Sequence, residues 1–228
     1  MKTVAIIPAG GKGARSGAAA PKQYIKFLGK ELIVHTLEVF QQNKAVDEII
    51  LAAESNYIGL LEKLKNEYKL TKISKIVEGG EERQDSVYNA LKSSEAKADD
   101  LVIVHDAARP LLPQHVLTNS IETAKQKGNA LVCIKAKDTL IKGSRVVESY
   151  LDRDEVYYVQ TPQIFLYPVL MKAMKNAYEN NFIGTDESIL VRRVGEKVNI
   201  VNGSVFNFKV TTAEDIEMFK RVALRKEE

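Results

Sequence analysis

Thr3-Val4-Ala5-Ile6-Ile7-Pro8-Ala9-Gly10-Gly11-Lys12-Gly13-Ala14-Arg15-Ser16-Gly17 opens the chain as an apolar, β-rich run that breaks into glycines, and Pro21-Lys22-Gln23 follows a few residues later. A strand that ends in a glycine-rich loop reads as part of an open α/β sheet, where ligands bind beyond the strands' carboxyl ends. Glycines let backbone N–H groups approach phosphate oxygens with no side chain in the way. Arg15 adds a planar fork and Lys22 a point charge. The alternative is a flexible turn whose cations are merely solvated; the arginine and the Pro-Lys-Gln triplet together favour an anion cradle.

Two better-known phosphate loops do not fit this stretch. No Gly-x4-Gly-Lys-Ser/Thr occurs in it, which excludes the P-loop. Gly11-x-Gly13 begins a dinucleotide fingerprint, but Ser16 stands in the third glycine's place. The acidic residue expected about 20 residues on, at the end of a second strand, is also missing.

Outward from this loop, short β-rich runs alternate with segments of helical period. Thr3–Ile7 is followed by a helix over Glu31–Gln42, a strand over Glu48–Ala53, a helix over Ile58–Tyr68 and a strand over Ile73–Val77. The pattern continues with a helix over Gln84–Leu91, the strand Leu101–Val104, a helix near Val116–Lys125 and the strand Ala130–Ile134. This is the grammar of an α/β fold. Unbroken apolar strands such as Val102-Ile103-Val104 suit a mostly parallel sheet covered on both faces. In the first helix Ile33, Leu37 and Phe40 share one face, and His35, with no chemical partner nearby in sequence, reads as a packing residue.

From Lys135 to Gln160 the pattern changes. Thr139-Leu140-Ile141 and Val146–Leu151 flank Lys142-Gly143-Ser144, which reads as a β-hairpin arm spanning about 135–160. Helical period returns over Tyr167–Glu179 and Ser188–Val194, Val198–Val201 and Phe206–Val210 read as strands, and Thr212–Leu224 closes as a helix with Thr212 and Asp215 as an N-cap signal.

The chain has 228 residues with no internal repeat or linker, so one domain over 1–228 is expected, somewhat above the roughly 100–200 residues commonest for a domain. A formal net charge of +3 is too small to argue for a nucleic-acid surface. Cys133, the lone cysteine, cannot form an internal disulfide and sits in an apolar run, so a buried strand thiol in a reducing cytoplasm is expected. The apolar stretch before Pro8 is too short for a signal-peptide core, and no run approaches the ~20 apolar residues of a membrane span.

Taken together, the motifs resemble those of the 2-C-methyl-D-erythritol 4-phosphate cytidylyltransferases of the non-mevalonate isoprenoid pathway. The likeness extends along nearly the whole chain. It is carried by Pro8-Ala9-Gly10-Gly11-x-Gly13-x-Arg15, Pro21-Lys22-Gln23, Gly79-Gly80-Glu81-Glu82-Arg83-Gln84-Asp85-Ser86 and Val104-His105-Asp106-Ala107-Ala108-Arg109-Pro110, then Asp138-Thr139, Asp152-Arg153, Thr161-Pro162-Gln163, Thr185-Asp186-Glu187 and Lys209-Val210-Thr211. Gly10, where the family more often has alanine, and Ser16, where methionine is common, depart from the pattern without removing a charge.

The resemblance implies a single Rossmann-like nucleotidyltransferase domain and a reaction in which the acceptor's phosphate attacks the α-phosphorus of CTP and releases pyrophosphate. It implies magnesium (Mg2+) bound mainly through the CTP phosphates, with Asp106 the one candidate neighbour. By motif, Arg15 and Lys22 match the pair that neutralises transition-state charge, and Arg153 and Lys209 the pair that positions the acceptor phosphate. Ala9, Gly10, Gly11, Gly13, Gly80, Glu81 and Ser86 match the nucleotide pocket; Asp106, Arg109, Thr139, Thr161 and Thr185 match the acceptor pocket. The family also suggests a homodimer whose arms exchange, carrying Thr139 and Arg153 to the partner's site.

The chemistry is coherent with this. A phosphate monoester has a second pKa near ~6, so the nucleophile is largely a dianion at neutral pH and needs no general base. His105, beside Asp106, therefore reads as structural. Ribitol 5-phosphate or another polyol phosphate remains the nearest alternative acceptor. A nucleotide-binding oxidoreductase and a non-catalytic nucleotide sensor are alternatives of other classes.

Overall fold

The computed structural model describes residues 1–10 and 21–224. In chain order the elements are β1 (Thr3–Pro8), a turn of 3-10 helix (Lys22–Tyr24), a small hairpin of β2 (Lys26–Phe27) and β3 (Lys30–Glu31), α1 (Leu32–Gln42), β4 (Glu48–Ala53), α2 (Ser55–Glu67), β5 (Ile73–Glu78), α3 (Arg83–Ser93), β6 (Leu101–Val104), α4 (Gln114–Lys127) and β7 (Asn129–Lys135). Then come β8 (Leu140–Gly143), β9 (Val147–Leu151), β10 (Tyr157–Leu166), α5 (Tyr167–Glu179), α6 (Glu187–Arg193), β11 (Ile200–Asn202) and α7 (Ala213–Leu224).

Seven strands form the main sheet in the order β11-β7-β10-β6-β1-β4-β5. The pairs β1–β4, β1–β6, β4–β5 and β11–β7 are parallel, while β10 runs antiparallel to both its neighbours. The fold is thus the mostly parallel α/β sheet expected from the sequence. Successive strand side chains point to opposite faces, and both faces are covered. Ala5 and Ile7 pack with Ile33, Leu37 and Phe40 of α1 and with apolar residues of α2 and α4. Val4 and Ile6 pack with Val87 of α3, Leu170 and Met174 of α5 and Leu190 of α6. Burial on both faces is why these strands are apolar at every position.

Connections leave β1 toward β4 on one side, and the chain returns through α3 to β6 on the other side of β1. The crevice beyond the carboxyl ends of β1 and β6 is therefore the topological switch point where open sheets bind ligands. Pro8–Gly10 follow from β1 and His105–Arg109 from β6.

A third cluster closes this end of the molecule: Phe27, Leu32, Ala108, Leu111, Val210 and Phe219. Phe219 of α7 meets the edge of Phe27 with centroids 6.1 Å apart and His35 at 5.2 Å. His35 Nε2 also lies 2.9 Å from the Phe27 carbonyl, so His35 is the packing residue expected. The N-cap expected for α7 is present: Thr212 N–H donates to Asp215 Oδ2 at 2.9 Å and Asp215 N–H to Thr212 Oγ1 at 3.3 Å.

Three expectations need correction. The arm is shorter than 135–160, because Lys135 ends β7 and Tyr157 begins β10, leaving β8 and β9 as a separate antiparallel pair. The strand β10 hides in sequence because Gln160, Thr161 and Pro162 interrupt its apolar pattern; the register shifts between Val159 and Gln163, an irregularity that accommodates a proline. The segment Phe206–Val210 is not a strand. Its alternation suggested one, but Phe206 is 52% exposed, and the buried Asn207 amide pins the segment as a loop through bonds to Thr161 O at 2.7 Å and Gln160 Oε1 at 3.1 Å. The strand expected at Val198–Val201 is shifted to Ile200–Asn202.

Because Phe219 is fully buried between Phe27 and His35, its replacement by alanine leaves a cavity in the third cluster. Phe219→Ala is expected to lower unfolding free energy by about 3–5 kcal/mol in urea titration.

Candidate functional site

The side of the crevice expected to take the nucleotide begins at Ala9. Its N–H donates to Ala52 O at 2.6 Å, and its carbonyl accepts from Gln23 Nε2 at 2.7 Å and Tyr24 Oη at 3.0 Å. Tyr24 in turn stacks on Tyr57, centroids 4.2 Å apart. The Pro-Lys-Gln triplet thus folds back on the start of the glycine-rich stretch, with Lys22 opening the 3-10 turn. Gly11, Gly13 and Arg15 lie outside the described residues.

Gly10 borders Ser86. A Cβ at Gly10 would come 3.5 Å from Ser86 Oγ, an ordinary contact, so the alanine more usual in the family fits here as well. Ser86 Oγ accepts from Gly80 N–H at 3.1 Å and donates to Glu82 O at 3.2 Å. Gly80 cannot carry a side chain, because a Cβ there would collide with Asp85. Ala9, Gly10, Gly80 and Ser86 are therefore brought together at the start of α3, with Glu81 exposed in the same turn.

The second half of the crevice is built on Asp106, 6% exposed. Its Oδ1 faces Arg83 Nε at 3.1 Å, and its Oδ2 faces Arg109 Nε and Lys209 Nζ, both at 3.2 Å. Arg83 extends its fork to Glu187, Nη1 to Oε1 at 2.6 Å and Nη2 to Oε2 at 3.1 Å. Arg109 Nη1 donates to Asn207 O at 2.7 Å. Burial opposes the Asp106 charge, but Arg83, Lys209 and Arg109 hold its pKa far below the usual carboxylate range. Burial likewise opposes the Arg83 charge, and Glu187 and Asp106 overcome it. The lysine is the outward-facing member, its side chain 40% exposed.

Behind Asp106, burial pushes the His105 pKa down to about 3, so the imidazole is neutral and packs against Phe40. Its Nε2 lies 3.3 Å from Arg109 O, which can only accept, and its Nδ1 lies 3.0 Å from Thr161 Oγ1. The proton is therefore assigned to Nε2, and Nδ1 accepts the Thr161 hydroxyl. Thr161 Oγ1 also accepts the Asp106 N–H at 3.1 Å. His105 is structural, as expected, with both ring nitrogens engaged.

Of the expected acceptor-site residues, Asp106, Arg109, Thr161 and Lys209 form one connected network. Thr185 lies exposed two positions before Glu187. Thr139 and Arg153 do not join: Thr139 is exposed in the arm, and Arg153 Nη1 donates to Lys137 O at 3.2 Å. Among the described residues, neither has a hydrogen bond or ion pair to the Asp106 network. Sequence reading assigned no role to Arg83, Glu187, Gln160 or Asn207. Arg83 and Glu187 sit inside quoted motifs, but nothing in a single sequence signals a pair 104 positions apart.

Asp106 does not fit as a metal ligand, since each of its oxygens already faces a cation. Among the described residues no group of three or more His, Cys, Asp or Glu is arranged to hold a metal. Cys133 is buried, with its thiol pKa pushed up to about 11 by burial, an inert strand thiol. It also borders a hollow of about 520 Å³ at the root of the arm, lined by Lys135, Lys137, Asp138, Tyr158 and Gly203.

Asp106→Asn removes the anion and leaves Arg83, Arg109 and Lys209 clustered, so it is expected to cost about 3–5 kcal/mol of stability at neutral pH. The Asp106 pKa is depressed by folding, so its contribution is present above the unfolded value of about 4 and is lost as pH falls below it. Urea titrations of parent and variant at pH 7 and at successively lower pH check both points: the gap between them should narrow only below about pH 4.

The family model described as 2-C-methyl-D-erythritol 4-phosphate cytidylyltransferase matches residues 3–223. The protein of that name from Lysinibacillus sphaericus is 40% identical over 227 residues, covering 99% of this chain and 97% of its own. The crystal structure of the Francisella tularensis protein of that name superposes with a TM-score of 0.82 at 33% identity, covering 97% of this chain and 99% of its own. The 4-diphosphocytidyl-2C-methyl-D-erythritol synthase of Anaerococcus prevotii gives 0.85 at 28% identity, with 98% of each chain covered. The chain belongs to the 2-C-methyl-D-erythritol 4-phosphate cytidylyltransferase family.

Proposed function

We propose that the chain transfers CMP from CTP to 2-C-methyl-D-erythritol 4-phosphate, releasing pyrophosphate, at the crevice beyond β1 and β6. The observation that carries this reading is the half-exposed Lys209 ammonium, held over the Asp106 carboxylate across the switch point from the Ala9–Gly10 turn. Two anionic substrates need two cationic stations, and this arrangement supports one at each side. Lys209 and Arg109 take the acceptor phosphate; Arg15 and Lys22 meet the charge that develops on the triphosphate during in-line attack. The acceptor phosphate is already a dianion, so the neutral, fully engaged His105 has no proton to move.

Asp106, already paired, would not hold magnesium; bound mainly through the CTP phosphates, the ion would supply neutralisation of phosphate charge. The 228 residues act as one domain. The arm serves dimerisation: Val146 is 73% exposed and Tyr150 72% exposed, apolar surface that a second subunit would cover. An exchanged arm would deliver Thr139 and Arg153 to the partner's site. No helix among the described residues is long and apolar enough to cross a membrane, and the protein works in the cytoplasm.

The test is pyrophosphate release by purified protein with magnesium, each nucleoside triphosphate, and either methylerythritol phosphate or ribitol 5-phosphate. Release is expected only with CTP and methylerythritol phosphate; release only with ribitol 5-phosphate overturns the acceptor. Lys22→Ala is expected to lower kcat by about 10²–10³, and Lys209→Ala to act chiefly by raising KM for the acceptor. Near-normal kinetics in either variant sinks that residue's role. Diluting the protein below its dimer dissociation constant, measured by analytical ultracentrifugation, is expected to abolish activity, and a fully active monomer refutes arm exchange.

A further inference from the structure

The geometry points to Arg83 as a positioning residue for the acceptor half of the site. This inference rests on the proposed reaction. Arg83 is the first residue of α3, and it grips two carboxylates at once: Glu187 through its fork, at 2.6 and 3.1 Å, and Asp106 through Nε, at 3.1 Å. Glu187 begins α6, two positions after Thr185, and Asp106 follows β6. One guanidinium therefore ties together the segments that carry Asp106, Arg109 and Thr185, and through Asp106 it sets where Lys209 rests.

The charge balance assigns Arg83 a second task. Asp106 and Glu187 supply two negative charges, and Arg83 answers both from the buried side, where Glu187 is only 1% exposed. Without it, Glu187 is left buried with no other cation paired to it among the described residues, and Asp106 has only Arg109 and Lys209 to compensate it. Lys209 would then be drawn to the carboxylate and away from an incoming phosphate. Lysine cannot replace Arg83 fully, because a point charge cannot span both carboxylates.

The nucleotide half is held independently. Ser86 Oγ bonds Gly80 N–H and Glu82 O, and Glu82 N–H bonds Asp85 Oδ2 at 3.0 Å, with no part played by the Arg83 side chain. Loss of Arg83 should therefore disturb the acceptor and spare CTP, a split that general loosening of α3 would not produce.

The discriminating variant is Arg83→Met combined with Glu187→Met, which removes the buried pair together and leaves no orphaned charge. Steady-state pyrophosphate release is measured with CTP and the acceptor varied in turn, beside thermal unfolding. The expected result is a folded protein whose KM for methylerythritol phosphate rises by about tenfold or more, as misplacement of a positioning group allows, while KM for CTP stays within about twofold. Unchanged constants, or an equal rise in both, overturn the positioning role. Should the double variant not fold, Arg83→Lys is read by the same criterion, a smaller acceptor-only rise supporting the inference and no rise overturning it. If the parent uses a different polyol phosphate, the substrate assignment alone falls and the split is read with that acceptor; if the parent uses none, both readings fall.

Discussion

The rest of the site depends on the buried carboxylate of Asp106. An ionised carboxylate withdrawn from water costs several kcal/mol unless other charges and hydrogen bonds replace its hydration. Here the replacement comes from three separate places in the chain: Arg83 at the start of α3, Arg109 in the loop after β6, and Lys209 in the loop before α7. Each contributes to keeping the anion compensated where it is buried. The carboxylate therefore acts as a fixed point against which three segments are registered, and stability and site geometry are coupled.

The sheet makes this registration feasible. With β6 next to β1 at the centre of the sheet, the residue after β6 emerges beside the residue after β1, and the side-chain alternation that buries Val104 on one face and Ile103 on the other anchors both strands firmly. Lys209 is reached differently. It has no strand to hold it, so the segment relies on Val210 in the third cluster, the Val210 N–H bond to Ala108 O at 2.8 Å, and the Asn207 amide. A loop fixed at both flanks positions one ammonium while leaving it half-exposed.

This division explains what could be read from the sequence. The strand β4 and the helix α5 were legible to the residue, because an apolar run bounded by polar residues and a 3.6-residue period are local signals. The turn of α7 was legible because Thr212 and Asp215 are three apart. What escaped was non-local. Strand β10 carries Gln160, Thr161 and Pro162 where a central strand is usually apolar, and Gln160 and Thr161 face Asn207 and His105, partners invisible in one dimension. Phe206–Val210 alternates like a strand but, among the described residues, has no neighbouring strand to complete it. In the site, Asp106, Arg109, Thr161 and Lys209 were named through motif resemblance, and the structure connects them; Arg83 and Glu187 needed the fold to bring positions 83 and 187 together.

The hydrogen-bond directions around Thr161 separate two kinds of ligand contact. Its hydroxyl proton goes to His105 Nδ1 and one lone pair takes the Asp106 N–H, so Thr161 has only an acceptor left to offer. A ligand hydroxyl can donate to it; a phosphate dianion, which has no proton, cannot. Lys209 has the opposite character, since an ammonium can only donate. In the proposed site the two groups thus meet different ends of a polyol phosphate, hydroxyls toward Thr161 and phosphate toward Lys209, and a neutral His105 keeps that polarity fixed across the physiological pH range because its pKa lies near 3. The histidine moves no proton itself, yet it determines which way the neighbouring hydroxyl points.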